Sequence, residues 1–155
     1  MILNIEKGEN NPVLRKKSAP VEEITGEIKR LVSDMTETLK THDGVGLAAP
    51  QVGHNLQIIR IDLSSFCSDP ANKKDYQLTL LNPKITKKSW KKATLEEGCL
   101  SLPNSTVKVK RPVRVTVQAT TLEGKEIEIK ADGLLAKVLQ HEIDHLSGIL
   151  ISDKT

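Results

Sequence analysis

Near the end of the chain, the segment QHEIDH at residues 140–145 combines residue types and a spacing that commonly hold a metal ion. Residues four apart lie one turn above each other on the same face of a helix, so His141 and His145 can share one cation. Glu142 lies about 100° around the helix from His141, where it can reach a metal-bound water without ligating the metal. The spacing therefore predicts a metal site on a helix, in preference to two histidines that are merely buried in a core.

A third ligand has to come from upstream of this segment. The protease pattern His-Glu-x-x-His-x-x-Gly-x-x-His fails at Ile151, which has no ligating atom, and no glutamate follows it. Cys99, in EEGCLSLP, is the favoured ligand, because the end of a β segment can direct a thiolate at a neighbouring helix. The other candidates have simpler interpretations: Cys67 as an incidental loop residue, His42 as a helix C-terminal cap and His54 as a surface loop histidine.

Three protein ligands would leave a fourth position open for water, which is the arrangement of catalytic metal sites. A divalent cation lowers the pKa of its bound water toward about 7. Glu142 is placed to take that proton and to deliver it later to a leaving nitrogen. The residues thus predict metal-assisted hydrolysis; a closed structural site remains an alternative and would require Cys67 or a carboxylate as a fourth ligand.

The first elements that must position these residues are a helix and two strands. Apolar residues at helical spacing predict an amphipathic N-terminal helix over residues 24–39 that ends near residues 41–44. Residues 44–53, GVGLAAPQVG, predict a turn that leads into an extended segment. The segments LQIIRIDLSSF and YQLTLLNPKI predict strands, and the second is expected to break at Asn82–Pro83.

From residue 105 onward the sequence alternates with the period of a β-sheet. Glu123–Gly124 is predicted as a hairpin turn between two strands, and the final helix is predicted to begin just after Asp132–Gly133. The order of elements predicts an α+β fold in which antiparallel β-sheets pack around the C-terminal helix that carries the metal site.

Composition limits the class of protein. At 155 residues, with 37% hydrophobic and 28% charged residues, residues 1–155 are expected to form one globular domain. No run approaches the roughly 20 apolar residues of a membrane span, and MILNIEKGEN resembles neither a signal nor a transit peptide, so a cytoplasmic location is expected. Two cysteines argue against a disulfide framework.

The charge pattern gives little indication of a nucleic-acid partner. The net charge is +3, and no DNA-binding motif or base-stacking aromatic cluster is recognised. A group of lysines could contact an anionic surface such as a ribosome, but solvated side chains on an exposed hairpin are the favoured interpretation. These lysines are Lys87, Lys88, Lys91 and Lys92.

Three segments together resemble the signature motifs of the peptide deformylase family. They are GVGLAAPQ at 44–51, EGCLS at 97–101 and QHEIDH at 140–145, and the early NPVLRKKSAPVEEI is also similar to that family. The resemblance implies an enzyme that removes the N-formyl group from the initiator methionine of nascent chains. It also implies that Cys99, His141 and His145 are the metal ligands and that Glu142 is the general acid/base.

The resemblance further implies Gln51 as a donor to the oxyanion, which the backbone N–H of Leu100 would also meet. The residues alone leave open whether Gln51 merely ties a glycine-rich loop to a strand. Gly46 is expected to let a peptide backbone approach closely, with Val45 and Leu100 pairing to the substrate as an added strand.

An apolar slot for the methionine side chain is predicted from the same segments. Val45, Leu134 and Val138 are expected to wall it. Lys137 shares that helix face, and its stem could line the slot while its ammonium reaches water.

Thiolate and imidazole ligands suit zinc, and general affinity favours zinc over ferrous iron. The family resemblance nevertheless implies Fe²⁺ as the physiological metal, with Zn²⁺, Ni²⁺ or Co²⁺ as other occupants. The expected partners are N-formyl-methionyl peptides, with no DNA, no membrane, a monomeric chain and at most a weak, transient ribosome contact. The sequence ends ten residues after His145, so no ribosome contact through a C-terminal extension is expected. The rival enzyme class is a zinc peptidase that acts on internal amide bonds.

Overall fold

The computed structural model describes residues 1–154. In chain order the helices and strands are α1 (Pro12–Arg15), α2 (Gly26–Thr41), β1 (Gly46–Ala48), β2 (Ile58–Asp62), β3 (Gln77–Lys88), β4 (Lys92–Cys99), β5 (Leu102–Pro112), β6 (Arg114–Thr120), β7 (Glu126–Asp132) and α3 (Gly133–Leu146). Short 3₁₀ turns occupy Ala49–Val52, Ser64–Phe66, Pro70–Tyr76 and Ile151–Lys154. None of the described helices has the length and apolar character that crossing a membrane requires.

The strands form two antiparallel sheets. The larger sheet has five strands in the order β1-β2-β3-β6-β7, and β4 pairs with β5 in a separate two-stranded sheet. With α3 at the end of the chain, this arrangement confirms the predicted α+β fold. Strand β1 lies at an edge of the larger sheet, so one of its sides has no neighbouring strand among residues 1–154.

The predicted N-terminal amphipathic helix is α2. It begins after Thr25, whose side chain accepts a hydrogen bond from the N–H of Ile28 at 3.3 Å. At the other end, His42 is the C-cap residue and its Nδ1 lies 2.8 Å from the carbonyl oxygen of Thr38. This contact agrees with the capping role predicted for His42.

The larger sheet separates two hydrophobic clusters, because successive side chains of a strand point to opposite faces. Ile58 packs in the cluster that contains Met35 of α2, whereas Ile59 and Ile61 pack in the cluster that contains Leu139 of α3. One short strand therefore holds both long helices in place, with α2 and α3 on opposite faces.

Strand β3 does not end at Asn82–Pro83, as the sequence predicted, but continues to Lys88. Asn82 adopts a φ of +51°, and the pairing register with β6 shifts between Leu81 and Lys84. The side chain of Asn82 accepts from the N–H of Val21 at 2.7 Å and donates to its carbonyl at 2.9 Å. The Asn-Pro pair therefore makes a bulge that anchors the N-terminal segment, not a strand end.

Lys87, Lys88, Lys91 and Lys92, at the end of β3, in the connection and at the start of β4, are exposed, as expected, but they do not lie on a hairpin. Strand β3 pairs with β6 and β4 pairs with β5, so residues 89–91 connect two different sheets. The predicted turn at Glu123–Gly124 does join paired strands, β6 and β7, and Gly124 has a φ of +84°.

Candidate active site

Cys99 at the end of β4 meets His141 and His145 on one face of α3. The ligand atoms of the three side chains all lie within 4.8 Å of one another. Cys99 Sγ is 3.4 Å from His145 Nε2, and the two Nε2 atoms are 3.3 Å apart. Metal bonds of about 2.0–2.3 Å at tetrahedral angles would place neighbouring donor atoms about 3.3–3.6 Å apart, so this donor set fits one small cation.

A distortion in the β4–β5 hairpin directs Cys99 at the helix. Pairing is regular from Lys92 to Gly98 and then shifts, so that Cys99 lies opposite Leu102. Such a shift turns a side chain away from the regular alternation of the strand. Cys67 lies elsewhere, with its Sγ 3.1 Å from the carbonyl oxygen of Asp69. Within residues 1–154, it does not join the three-residue group.

A buried carboxylate orients the first imidazole. Glu97 Oε1 is 2.9 Å from His141 Nδ1, and the carboxylate also pairs with Arg111 at 2.7 and 3.0 Å. Burial would raise the pKa of Glu97, but hydrogen bonds from His141 and Arg111 lower it to about 2. An ionised carboxylate can only accept, so Nδ1 of His141 donates and Nε2 is turned toward Cys99 and His145. Arg111 in turn donates to Asp144 of α3 at 2.8 Å.

The two imidazoles have different electrostatic surroundings. Burial would lower the pKa of His141, but hydrogen bonds with Cys99 and Glu97 outweigh it and raise the pKa to about 10. Burial and the nearby charge of His141 hold the pKa of His145 well below its ordinary value. Nδ1 of His145 is buried and has no hydrogen-bond partner among the described residues. Its ring is therefore held by packing and not by a carboxylate.

Glu142 is buried beside the three-residue group. Its Oε1 is 3.9 Å from His141 Nε2, and its Oε2 has no hydrogen-bond partner in the described part of the chain. Burial raises the pKa of Glu142 to about 7. A carboxyl group with that pKa can both accept and release a proton near neutral pH, which is what a proton shuttle requires.

The packing of β1 against α3 explains Gly46. A Cβ at this position would lie 2.7 Å from Glu142 Oε1 and 3.0 Å from Glu142 Cγ. The absent side chain therefore makes room for Glu142. The N–H of Asp62 donates to the carbonyl of Val45 at 2.8 Å, so the alternation of an antiparallel pair directs the backbone groups of Gly46 to the unpaired edge of β1.

The amide of Gln51 is held in one orientation. Its Oε1 accepts from the N–H of Ala48 at 2.9 Å, which leaves the NH₂ group to face Ser101 Oγ at 3.1 Å and Cys99 Sγ at 3.5 Å. The residue is buried. Gln51 thus ties the glycine-rich segment to the β4–β5 turn, and its NH₂ group faces Ser101 and Cys99.

A cleft of about 750 Å³ opens over these residues. It is lined by the residues that the sequence predicted for substrate binding, namely Val45, Gly46, Leu100, Leu134 and Val138. Lys137 also lines the cleft, and its Nζ donates to the carbonyl of Glu96 at 2.9 Å in an exposed hydrogen bond.

The sequence reasoning did not find the charged residues behind His141. Glu97 had only a weak signal, as an acidic residue two positions before Cys99, because the register shift after Gly98 interrupts the alternation that would place the two on one face. No such signal pointed to Arg111, Asp144 or Ser101. Their contacts join separate elements, since Arg111 of β5 bonds Glu97 of β4 and Asp144 of α3, and Ser101 bonds Gln51 of the glycine-rich segment.

The comparison with known proteins identifies the family. A family model described as Polypeptide deformylase matches residues 2–155. The peptide deformylase of Thermodesulfovibrio yellowstonii is 47% identical to this chain over 153 residues, which are 99% of this chain and 88% of that protein. The chain belongs to the polypeptide deformylase family. Deformylases are metal-dependent hydrolases, and this chain accordingly removes N-formyl groups from nascent polypeptides.

Solved deformylase structures have the same fold. A probable peptide deformylase from Synechococcus phage S-SSM7 matches with a TM-score of 0.89 at 42% identity, over 99% of both chains. The Met-Ala-Ser-bound class I type b peptide deformylase from Acinetobacter baumannii matches with a TM-score of 0.90 at 31% identity, over 100% of this chain and 99% of that one. A peptidase that cleaves internal amide bonds is not favoured by these relationships.

Proposed function

We propose that Cys99, His141 and His145 bind the metal with which this deformylase hydrolyses the N-formyl group of formyl-methionyl peptides. The observation that supports this assignment is the convergence of their ligand atoms within 4.8 Å, beside a buried carboxylate. The bound cation would act as a Lewis acid toward water and toward the formyl carbonyl. Because His141 has a raised pKa, metal binding should release a proton from its Nε2.

The substrate enters as an extended strand beside β1. Its backbone pairs with the unpaired edge at Gly46, between Val45 on one side and Leu100 on the other. The Met-Ala-Ser tripeptide bound by the Acinetobacter deformylase is the size and type of molecule that this cleft would take. The side chain of the first residue lies in an apolar slot formed by Val45, Leu134 and Val138.

Glu142 moves the proton. Its carboxylate accepts a proton from the attacking water, and the protonated carboxyl delivers it to the leaving amine nitrogen. Its burial supports this role, because a pKa of about 7 permits both steps at neutral pH. Gly46 keeps the carboxylate in place by leaving the space that a Cβ would fill.

Gln51 and Leu100 stabilise the developing oxyanion. The Nε2 group of Gln51 and the backbone N–H of Leu100 donate to the formyl oxygen as it gains charge. The bond between Gln51 Oε1 and the N–H of Ala48 supports this role, since it presets the direction of the donor. One such donor is typically worth about 10²–10³ in rate.

We take Fe²⁺ as the physiological metal, with Zn²⁺, Ni²⁺ or Co²⁺ as substitutes. The thiolate–imidazole donor set accepts all four ions, so the choice depends on turnover and not on fit. Purification without oxygen, followed by elemental analysis and by assay of a formyl-Met tripeptide, decides it. We expect iron to accompany the highest kcat/KM, and equal activity with zinc would contradict the assignment.

The ligand assignment is tested by replacing the two cysteines separately. Cys99→Ser should lose most of its metal on dialysis and most of its turnover of formyl-Met-Ala-Ser, because serine is a poor ligand for these cations. Cys67→Ser is the matched control and should keep both. Full metal content in Cys99→Ser would refute the ligand set, whereas cleavage of only unformylated peptides by the unmodified chain would favour the peptidase.

The substrate also suggests where in the cell the enzyme works. Nascent formylated chains are made in the cytoplasm, so the enzyme is proposed to work there as a monomer, close to the ribosome and with only transient contact. Sedimentation at micromolar concentration tests the monomer, and co-sedimentation with ribosomes in low and high salt tests the contact.

A further inference from the structure

Lys137 lines two neighbouring cavities. Beside the active-site cleft, a second cavity of about 100 Å³ lies between the β4–β5 hairpin and the first turn of α3. Lys137 and Glu97 contribute to both, and Glu97 is already engaged by Arg111 and His141. Arg111 also lines the second cavity, but most of its wall is apolar and comes from Ala93, Leu95, Val109, Pro112, Val113 and Gly133.

The position of Lys137 on α3 explains why it lines both cavities. Leu134, Val138 and His141 line the active-site cleft at intervals of three and four residues, as one helix face requires. Gly133, one turn before Lys137, lines the second cavity. Lys137 therefore lies at the border between the two faces, and Gly133 has no side chain to close the gap.

The Lys137 side chain bridges α3 and β4. Its Nζ donates to the carbonyl of Glu96 at 2.9 Å, so its four methylenes extend from the helix to the strand. A lysine suits this place because its stem offers an apolar surface while its charge stays at the rim, bonded to an exposed carbonyl acceptor. The stem, like the side chain of Glu97, borders both the active-site cleft, which contains the proposed slot for the first substrate side chain, and the cavity behind it.

We propose that the Lys137 stem is the partition between the slot and the second cavity, and that it determines specificity by setting the depth of the slot. The inference rests on the proposed slot at Val45, Leu134 and Val138. Truncation of Lys137 would join the cavity of about 100 Å³ to the slot, so longer first residues would be accepted.

The test is a series of formyl-X-Ala-Ser peptides in which X lengthens one methylene at a time, from norvaline through norleucine to 2-aminooctanoate, with methionine as reference. For the wild-type holoenzyme, kcat/KM should rise by about fourfold per methylene up to the length of methionine and then fall. In Lys137→Ala the maximum should move one or two methylenes further, so that 2-aminooctanoate gains on the order of tenfold relative to methionine.

A further variant separates the effect of the Lys137 stem from that of its charge, and another serves as a control. Lys137→Met keeps an unbranched stem without the ammonium and should retain the wild-type maximum. Lys130→Ala, an exposed lysine on β7, should leave the whole profile unchanged. Lys137→Ser gives a second truncation if the alanine variant folds poorly, as judged by circular dichroism.

The outcomes distinguish a failure of the proposed slot from a failure of the proposed partition by Lys137. A wild-type profile that is flat with chain length would refute the slot, and with it that part of the proposed function. A normal wild-type profile with an unmoved maximum in Lys137→Ala would refute only the partition. The same shift in Lys137→Met as in Lys137→Ala would also overturn it, because the stem would then not be the wall.

Discussion

At the residue scale, the two histidines of the proposed metal site are equivalent in the sequence motif but not in the structure. His141 is oriented by the Glu97 carboxylate at 2.9 Å, whereas Nδ1 of His145 has no partner among the described residues. A metal ligand held by a carboxylate keeps its tautomer and its direction. The orientation of His141 thus depends on a charged network, and that of His145 depends on packing.

Glu142→Gln should keep the metal and lose turnover. The amide has the same shape as the carboxyl but cannot take or deliver a proton, so kcat for a formyl-Met tripeptide should fall about 10²–10⁴-fold. Elemental analysis of the same sample should show unchanged metal content. Loss of metal in this variant would mean that Glu142 acts as a ligand or as a support for one.

Glu97→Gln should weaken metal binding without touching a ligand. The change removes the negative charge that fixes His141 Nδ1 and leaves Arg111 without its buried partner. Metal affinity measured by chelator competition should drop about 10–100-fold. Glu96→Gln is the matched control, since that side chain is exposed on the opposite face of β4 and should leave affinity unaltered.

At the element scale, the site depends on three elements that are distant in the chain. Strand β1 supplies the edge at Gly46, the β4–β5 hairpin supplies Cys99, and α3 supplies the imidazoles and Glu142. The salt bridges from Arg111 to Glu97 and Asp144 join the hairpin to α3. The contact of β1 with α3 is equally close, because it places Gly46 directly against Glu142.

Gly46→Ala should therefore damage catalysis more than binding of the metal. The new Cβ would overlap Glu142 Oε1 at 2.7 Å, and the carboxylate would have to move. A displacement of about 1 Å can cost about 10²-fold in rate, so kcat should fall by that order while metal content is retained. Gly26→Ala, which meets no atom within 4 Å, is the control and should keep wild-type kcat.

At the scale of the whole molecule, hydrogen bonds join the N-terminal segment to the end of α3 and to the residues that follow it. The N–H of Ser18 donates to the carbonyl of Leu146 at 2.9 Å, and Arg15 bonds both the carbonyl of Gly148 and the carboxylate of Asp153. Because β2 packs against both helices, we propose that the chain is a single domain that unfolds in one cooperative transition.

Gly148→Ala should destabilise the whole molecule. A Cβ would lie 2.3 Å from the carbonyl oxygen of Arg15, and the φ of +74° also disfavours alanine. We expect a loss of about 2–3 kcal/mol of unfolding free energy in denaturant titration, still in one transition. Gly124→Ala has a similar φ of +84° but only an ordinary contact at 3.9 Å, so it should lose about 1 kcal/mol. Equal losses in the two variants would argue against the Arg15 contact.

The sequence by itself determined the chemistry of the site and the succession of elements. Ligand types, the four-residue spacing of His141 and His145, and the alternation of the strands are properties of neighbouring residues. Backbone geometry converts them directly into a helix face or a sheet face. For that reason the histidine pair and the α+β fold could be predicted, whereas Cys99 was reached by comparing the candidate ligands and by the resemblance to the family's motifs.

Only the tertiary structure decided what surrounds those residues. It brought Arg111 to Glu97 and Gly46 to Glu142, extended β3 beyond Asn82, and placed Lys137 beside two cavities. Each of these contacts joins elements far apart in the chain, and their approach is set by the packing of two clusters against one sheet. Local periodicity carries no information about such distances, so these contacts had to be observed.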